Sequence, residues 1–190
     1  KLPKSSLNIV LARITDNIEW NQGGARNLGV QLAKTSKLLL TDLDHIFPEI
    51  LFKKMLASRQ PKYLNRFKRQ RDGKSVNAHP NSFFCTKSLF YKSLGYDEEF
   101  SGHYGHDDIF FVEMQKALGT KIRYFNRVDA VMHLEHFNNT NVEQHFLSRD
   151  TSFNEALFNA KMALIIKGKI FEAHSRLLIN FKYEMIPATK

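Results

Sequence analysis

The chain has one cysteine, Cys85, so no intrachain disulfide can form, and a reducing compartment is the simplest setting. It has no apolar run near the roughly 20 residues that a membrane-spanning helix needs. Its longest runs, such as MALII at 162–166, are the size of core segments. The opening KLPKSSLNIV lacks the apolar centre of a secretory signal. These absences predict a cytoplasmic protein, in which the sequon-like NNT at 138–140 is a chance match. Internal repeats, low-complexity tracts and domain linkers are also missing.

What is present suits a globular chain. Its 190 residues are 43% hydrophobic and 25% charged, enough for one domain with a substantial core or one domain plus an appendage. Lys and Arg number 28 against 19 acids, a net +9 that favours phosphate-bearing partners. The densest basic run, KYLNRFKRQRDGK at 62–74, interleaves Tyr63 and Phe67. Bases and aromatics so mixed could grip a nucleic-acid strand. Charge runs are more often solvated hairpins, so nucleic acid is not the expected partner.

The local patterns alternate between strand and helix. SLNIVLARI, 6–14, reads as a strand. NQGGARNLGVQLAKTS then places Ala25, Leu28, Leu32 and Ala33 at helical spacing, with Gly23 and Gly24 at the opening. KLLLTD is a short strand buried on both faces, and Pro48 opens a helix to about Ser58. This order predicts a parallel α/β sheet. Residues 61–81 read as a hairpin about Asp72-Gly73, SFFCT as a strand, and KSLFYKSLG as a helix ending at Gly95. DDIFFVEMQKALG, 107–119, reads as a helix, KIRYF and DAVMHLEH as extended segments, and the tail from Val142 as one or two helices.

Three constellations could carry chemistry. Asp42 and Asp44 stand at i and i+2 where an apolar strand ends, so both carboxylates point to one side and can converge on a hard divalent ion, Mg²⁺ or Mn²⁺. The plainer reading is a surface turn with two solvated aspartates. In GYDEEFSGHYGHDDIFF, 95–111, a glycine-rich aromatic loop ends in Asp107 and Asp108 at a helix start. A carboxylate there could be a general base, or both could simply complement the helix dipole. His133 and His136 follow a strand, and a neutral imidazole could complete a carboxylate metal site, although an isolated histidine is usually structural. His45, beside Asp44, is equally ambiguous.

Together these stretches resemble a family. WNQGGARNLGVQLAKTSKLLLTDLDHIFP resembles the nucleotide-binding half of GT-A glycosyltransferases of the family 2 type, where a G-A-R-N-x-G helix precedes a strand ending in D-x-D. FFCTKSLFYKSLGYDEEFSGHYGHDDIFFVEMQKALG resembles the acceptor half shared by β-1,4-galactosyltransferases and chondroitin-type polymerases, and AVMHLEH matches their later metal-binding histidine. The resemblance spans residues 7 to about 140 in order. It implies an α/β, Rossmann-like GT-A mixed sheet flanked by helices over 1–140, lacking the first β-α unit, with a helical extension over 141–190 packed on the same domain.

The resemblance also implies roles. Asp42, Asp44 and His133 would hold Mn²⁺ or Mg²⁺, and Arg26 and Asn27 would lie with the two aspartates near a nucleoside-diphosphate sugar, UDP-galactose or UDP-N-acetylgalactosamine being favoured. Asp108 would be the catalytic base of an inverting transfer to a saccharide or glycoconjugate hydroxyl. Asp107, Tyr104, Gly105 and His106 would meet that acceptor, Tyr104 by stacking on a sugar face. The chain departs from the pattern where Asp107 replaces the usual Glu, where His106 replaces a small residue, and where no uracil-binding strand precedes Leu7. Competing readings are a phosphohydrolase or phosphotransferase with nucleophilic Asp42, disfavoured by the His45-Ile46-Phe47 that follows, a non-enzymatic nucleic-acid binder centred on 62–74, and a degenerate transferase.

Overall fold

The computed structural model describes residues 8–42, 45–58, 62–71, 73–125, 131–133 and 148–187. Asp44 and His136 lie outside them, and His133 is described for its backbone alone.

The first strand, β1 (Leu11–Ile14), leads into α1 (Gln22–Leu32). Two glycines open α1 because neighbours leave no room for side chains: a Cβ at Gly24 would lie 2.2 Å from Asn21 Oδ1, and one at Gly23 would lie 3.2 Å from Tyr96 Cβ. Next comes β2 (Lys37–Leu40), where the apolar run predicted burial on both faces; one face is buried and the other, with Leu39, is partly buried. Leu38 and Leu40 join one apolar cluster, while Leu39 packs against another. After β3 (His45–Ile46), Pro48 precedes α2 (Glu49–Ala57). Three short strands follow: β4 (Leu64–Arg66), β5 (Arg69–Arg71) and β6 (Lys74–Val76), with Gly73 at φ +70 turning β5 into β6. Then come β7 (Phe83–Thr86), α3 (Lys87–Lys92), α4 (Asp107–Ala117), β8 (Ile122–Tyr124) and β9 (Val131–His133). The tail holds α5 (Ser152–Ile166) and β10 (Tyr183–Ile186).

The fold is α/β with mixed sheets, as the resemblance implied, and its pairing corrects only the parallel sheet read from the strand–helix order. One sheet runs β2-β7-β4-β8, with β7 antiparallel to both neighbours and β4 parallel to β8. A second runs β3-β9-β5-β6, where only β5 and β9 are parallel. Among the described residues, strand β1 joins neither sheet; it pairs antiparallel with β10, from Leu11 opposite Ile186 to Ile14 opposite Tyr183. The tail therefore ends in a strand, where helix alone was expected. Periodicity identifies a strand, whereas its partner is chosen by contacts distant in sequence.

Two arginines of the basic run 62–74 are tied to the fold, while Lys62 and Lys74 stay exposed. Arg66 Nη2 donates to Ala78 O (2.8 Å) and Arg69 Nε to Asn77 O (2.7 Å), which ties down the loop after β6. Tyr63 lies under the Arg123 guanidinium at 3.5 Å from the ring centroid.

Helix α4 is wedged between two apolar clusters. Phe111 stacks on Phe83 (5.1 Å between centroids) and Tyr96 (4.7 Å) on one side, while Phe110 and Met114 pack with Phe100 and Ala173 on the other. With both sides filled at interior density, the acidic first turn of α4 has a definite position. Cys85 is fully buried in the first cluster, and burial pushes its thiol up to about 12, so it is an inert core residue.

Candidate active site

A cleft of about 600 Å³ opens between α1, the end of β2, the loop after β6 and the first turn of α4; Trp20, Asp42, His79, Tyr104, Asp107 and Asp108 are among its lining residues. Its floor is built by α1. Gln22 and Arg26, four residues apart and so on one helix face, both reach Asp42 just past β2. Arg26 Nη2 donates to Asp42 Oδ1 at 2.6 Å, and Gln22 Nε2 donates to the same oxygen at 3.3 Å. On the other side, His79 Nδ1 lies 3.2 Å from Asp42 Oδ2. Arg26 Nη1 also donates to Asn81 O (2.7 Å), locking the 77–81 loop against the helix.

The opposite wall is the first turn of α4. Its N-cap is His106, at φ +67, and no side chain caps the helix. Asp107 Oδ2 is buried with no hydrogen-bond partner among the described residues, as is His106 Nδ1. Burial, and then the neighbouring charge of Asp108, push the Asp107 carboxyl up to about 6. Asp108 is raised too, by burial above all, although the Ile109 N–H that donates to its Oδ1 (2.7 Å) pulls the other way. Dipole compensation alone leaves Asp107 unexplained, because a carboxylate placed only to cap a helix would have its oxygens satisfied.

Above the acids, the Tyr104 ring meets the Trp20 ring edge-on at 4.7 Å. Trp20 is at φ +47, and its Nε1 donates to Ser148 O at 2.7 Å. An aromatic wall with carboxylates beneath it can receive a sugar, an apolar ring face on one side and hydroxyls on the other.

The structure thus brings Asp42, Tyr104, Gly105, His106, Asp107 and Asp108 to one cleft, with Arg26 in its floor. Asn27 is a correction. Expected near a nucleotide, it is fully buried; its Nδ2 donates to Tyr96 O (2.9 Å) and Glu98 Oε1 (2.8 Å), and its Oδ1 accepts from Tyr96 N (2.9 Å). Every group of that amide is used inside the fold.

Sequence reasoning missed Trp20, His79, Asn81, Arg149 and Thr151, which also line the cleft. Trp20 carried a signal, as the lone tryptophan three residues before the glycine pair. The others carried none, since they arrive from separate loops.

Among the described residues, no three His, Cys, Asp or Glu side chains gather as a metal ion would need. Of the three expected ligands, Asp44 lies outside the described residues and His133 is described for its backbone alone. The backbone does bring residue 133 opposite His45, the neighbour of Asp44, through the β3–β9 register. The His45 ring is buried, with Nδ1 3.0 Å from Ser82 Oγ.

No protein-family profile matches the chain, and no curated protein is similar to it in sequence. Two solved structures of Drosophila β-1,4-galactosyltransferase 7 are similar in fold. One, a mutant in complex with manganese, UDP-Gal and xylobiose, shares 13% identity at a TM-score of 0.48. The other, its catalytic domain with xylobiose, shares 16% at 0.47. Each match covers 72% of this chain and 64% of the other, so the chain spans under two thirds of their length.

Proposed function

We propose that the protein is a metal-dependent, inverting glycosyltransferase that moves a hexose or N-acetylhexosamine, galactose-type by preference, from a nucleoside-diphosphate sugar to a saccharide hydroxyl. One observation carries this reading. A single cleft joins a pair of carboxylates pushed upward in pKa, an aromatic wall, and Asp42 held by Arg26. These are also the positions on which the family resemblance turns.

Asp108 takes the proton of the acceptor hydroxyl as its oxygen attacks the anomeric carbon. The new C1–O bond forms while the C1–O bond to the diphosphate breaks, and the nucleoside diphosphate leaves with the electron pair. One in-line displacement inverts the anomeric centre. Asp107, with its pKa near neutrality, orients the acceptor by hydrogen bonding, and Trp20 and Tyr104 supply the stacking face. The residues that would hold the divalent ion are Asp42, Asp44 and His133. Their carboxylate and imidazole donors suit Mn²⁺ or Mg²⁺. Such an ion, when bound, neutralises the departing diphosphate. A cytoplasmic setting belongs to the same reading.

The phosphotransfer alternative loses ground because both Asp42 oxygens already face Arg26 or His79, which leaves a poor nucleophile. Calorimetric titration of UDP, GDP and their sugars, with and without Mn²⁺, tests the proposal. Manganese-dependent binding of one nucleotide, abolished in Asp44→Ala, is expected. Equal metal-stimulated binding in that variant would remove Asp44 from the site.

A further inference from the structure

Helix α5 lies beyond the region of family resemblance, yet it carries the side chain that touches the cleft loop most intimately. Asn154, fully buried, points its Nδ2 at three backbone oxygens of one loop: Phe100 O at 3.0 Å, His103 O at 2.9 Å and Gly105 O at 2.8 Å. Three carbonyls converging on one point repel each other unless a donor stands between them. An amide nitrogen there holds the loop in a curl that it would not keep alone. The curl leads directly into Gly105 at φ +88 and His106 at φ +67, and so aims the first turn of α4.

Neighbours of Asn154 grip the same loop. The Phe153 ring stacks on His103 at 3.8 Å between centroids. Thr151 closes on Gly105, where an added Cβ would stand 3.3 Å from Thr151 Cγ2. Just ahead of α5, Ser148 O receives the indole N–H of Trp20.

We infer that Asn154 is a positioning residue, through which α5 sets the loop 100–106 and hence the placement of Tyr104, Asp107 and Asp108 in the cleft. The part concerning transfer rests on the glycosyltransferase reading, whereas the part concerning the loop does not. Seven residues along the same helix face, Lys161 is also buried, but it binds Asp97, Glu99 and Ala173 O rather than the loop carbonyls. It is therefore the control for a purely structural role.

The experiment compares wild type, Asn154→Ala, Asn154→Asp and Lys161→Met at a temperature where each is folded. Backbone amide exchange over 101–108 and acrylamide quenching of Trp20, the lone tryptophan, report on the loop directly. Both should rise at least fivefold in the two Asn154 variants and move less in Lys161→Met, even though the latter has the lower melting temperature. Where transfer is measurable, the Asn154 variants should lose at least tenfold in kcat with nucleotide binding unchanged, and Lys161→Met should keep its kcat. Unchanged exchange and quenching in both Asn154 variants would overturn the inference whatever the activity. So would exchange that rises only in proportion to lost stability. If the loop loosens as expected but wild type transfers nothing to any saccharide, the positioning stands and the transferase reading falls.

Discussion

Two acidic stretches lie ten residues apart in this chain, and they fare in opposite ways. In the first, Asp97, Glu98 and Glu99 are saturated with donors. Asp97 receives the Ser175 hydroxyl and amide and the Lys161 ammonium. Glu98 receives the Asn27 amide and the backbone N–H groups of Ile179 (2.6 Å) and Asn180 (2.8 Å). Burial alone would raise the Asp97 carboxyl, but His174, Lys161 and Ser175 outweigh it and hold it below the ordinary range. In the second stretch, burial of Asp107 and Asp108 meets too few donors, and both carboxyls rise. Asp97 is buried with donors on both of its oxygens, whereas Asp107 keeps one buried oxygen without a partner among the described residues. The first stretch is a clasp for the tail, and the second keeps carboxyls raised in pKa.

The comparison can be broken from either side. Lys161→Met should do most harm to the fold, because it leaves Asp97 buried without its cation, at a cost of about 3–5 kcal/mol; urea unfolding measures it. Asp108→Asn should leave stability nearly unchanged and lower transfer by about 10²- to 10⁴-fold, the usual worth of a general base. If nucleotide binding is lost with it, Asp108 belongs to the donor side instead.

Asp107→Asn should stabilise the protein at neutral pH by about 1–2 kcal/mol, the relief of a carboxylate ionised against its burial. The sign follows from the raised folded-state pKa. The wild-type residue costs nothing below about pH 4, where both states are protonated, and its penalty grows as pH rises through about 6. The advantage of the variant should therefore vanish in acid, and thermal melts across pH 4–8 would show whether it does. Asp97 runs the other way, since its contribution is lost as pH falls through its depressed pKa. Smallest of all, Glu99→Gln should cost under about 1 kcal/mol, because that side chain is half exposed and its bond to Lys161 is screened by water.

Much of this was visible before any coordinates. Apolar runs marked β2 and β7, and helical spacing with Asp at one end and Gly119 at the other marked α4. The chemistry-bearing residues Asp42, Tyr104, Asp107 and Asp108 stood out by spacing and by the order of their motifs. Helix α5 shows where such reading fails. Its apolar side chains Leu157, Phe158 and Met162 pack, partly buried, against the cluster of Phe100, Phe110 and Met114, but its two fully covered side chains are the polar Asn154 and Lys161. Those two are covered because the helix also meets a loop with outward carbonyls and a carboxylate clasp, and no local pattern records it.

Local pattern marked most helices and strands other than β10, and it marked where carboxylates, glycines and aromatics cluster, because periodicity, turn chemistry and capping act over a few residues. Packing in three dimensions decided that β1 pairs with β10, that Asn27 is a buried brace, that His79 and Trp20 enter the cleft, and that the Asp97–Glu98 carboxylates are satisfied while those of Asp107 and Asp108 are raised. Those outcomes depend on burial and on donors that arrive from more than 50 residues away, as Lys161 does for Glu99 and Asn154 for Phe100 O. The energy of a charge is set by its neighbours in space.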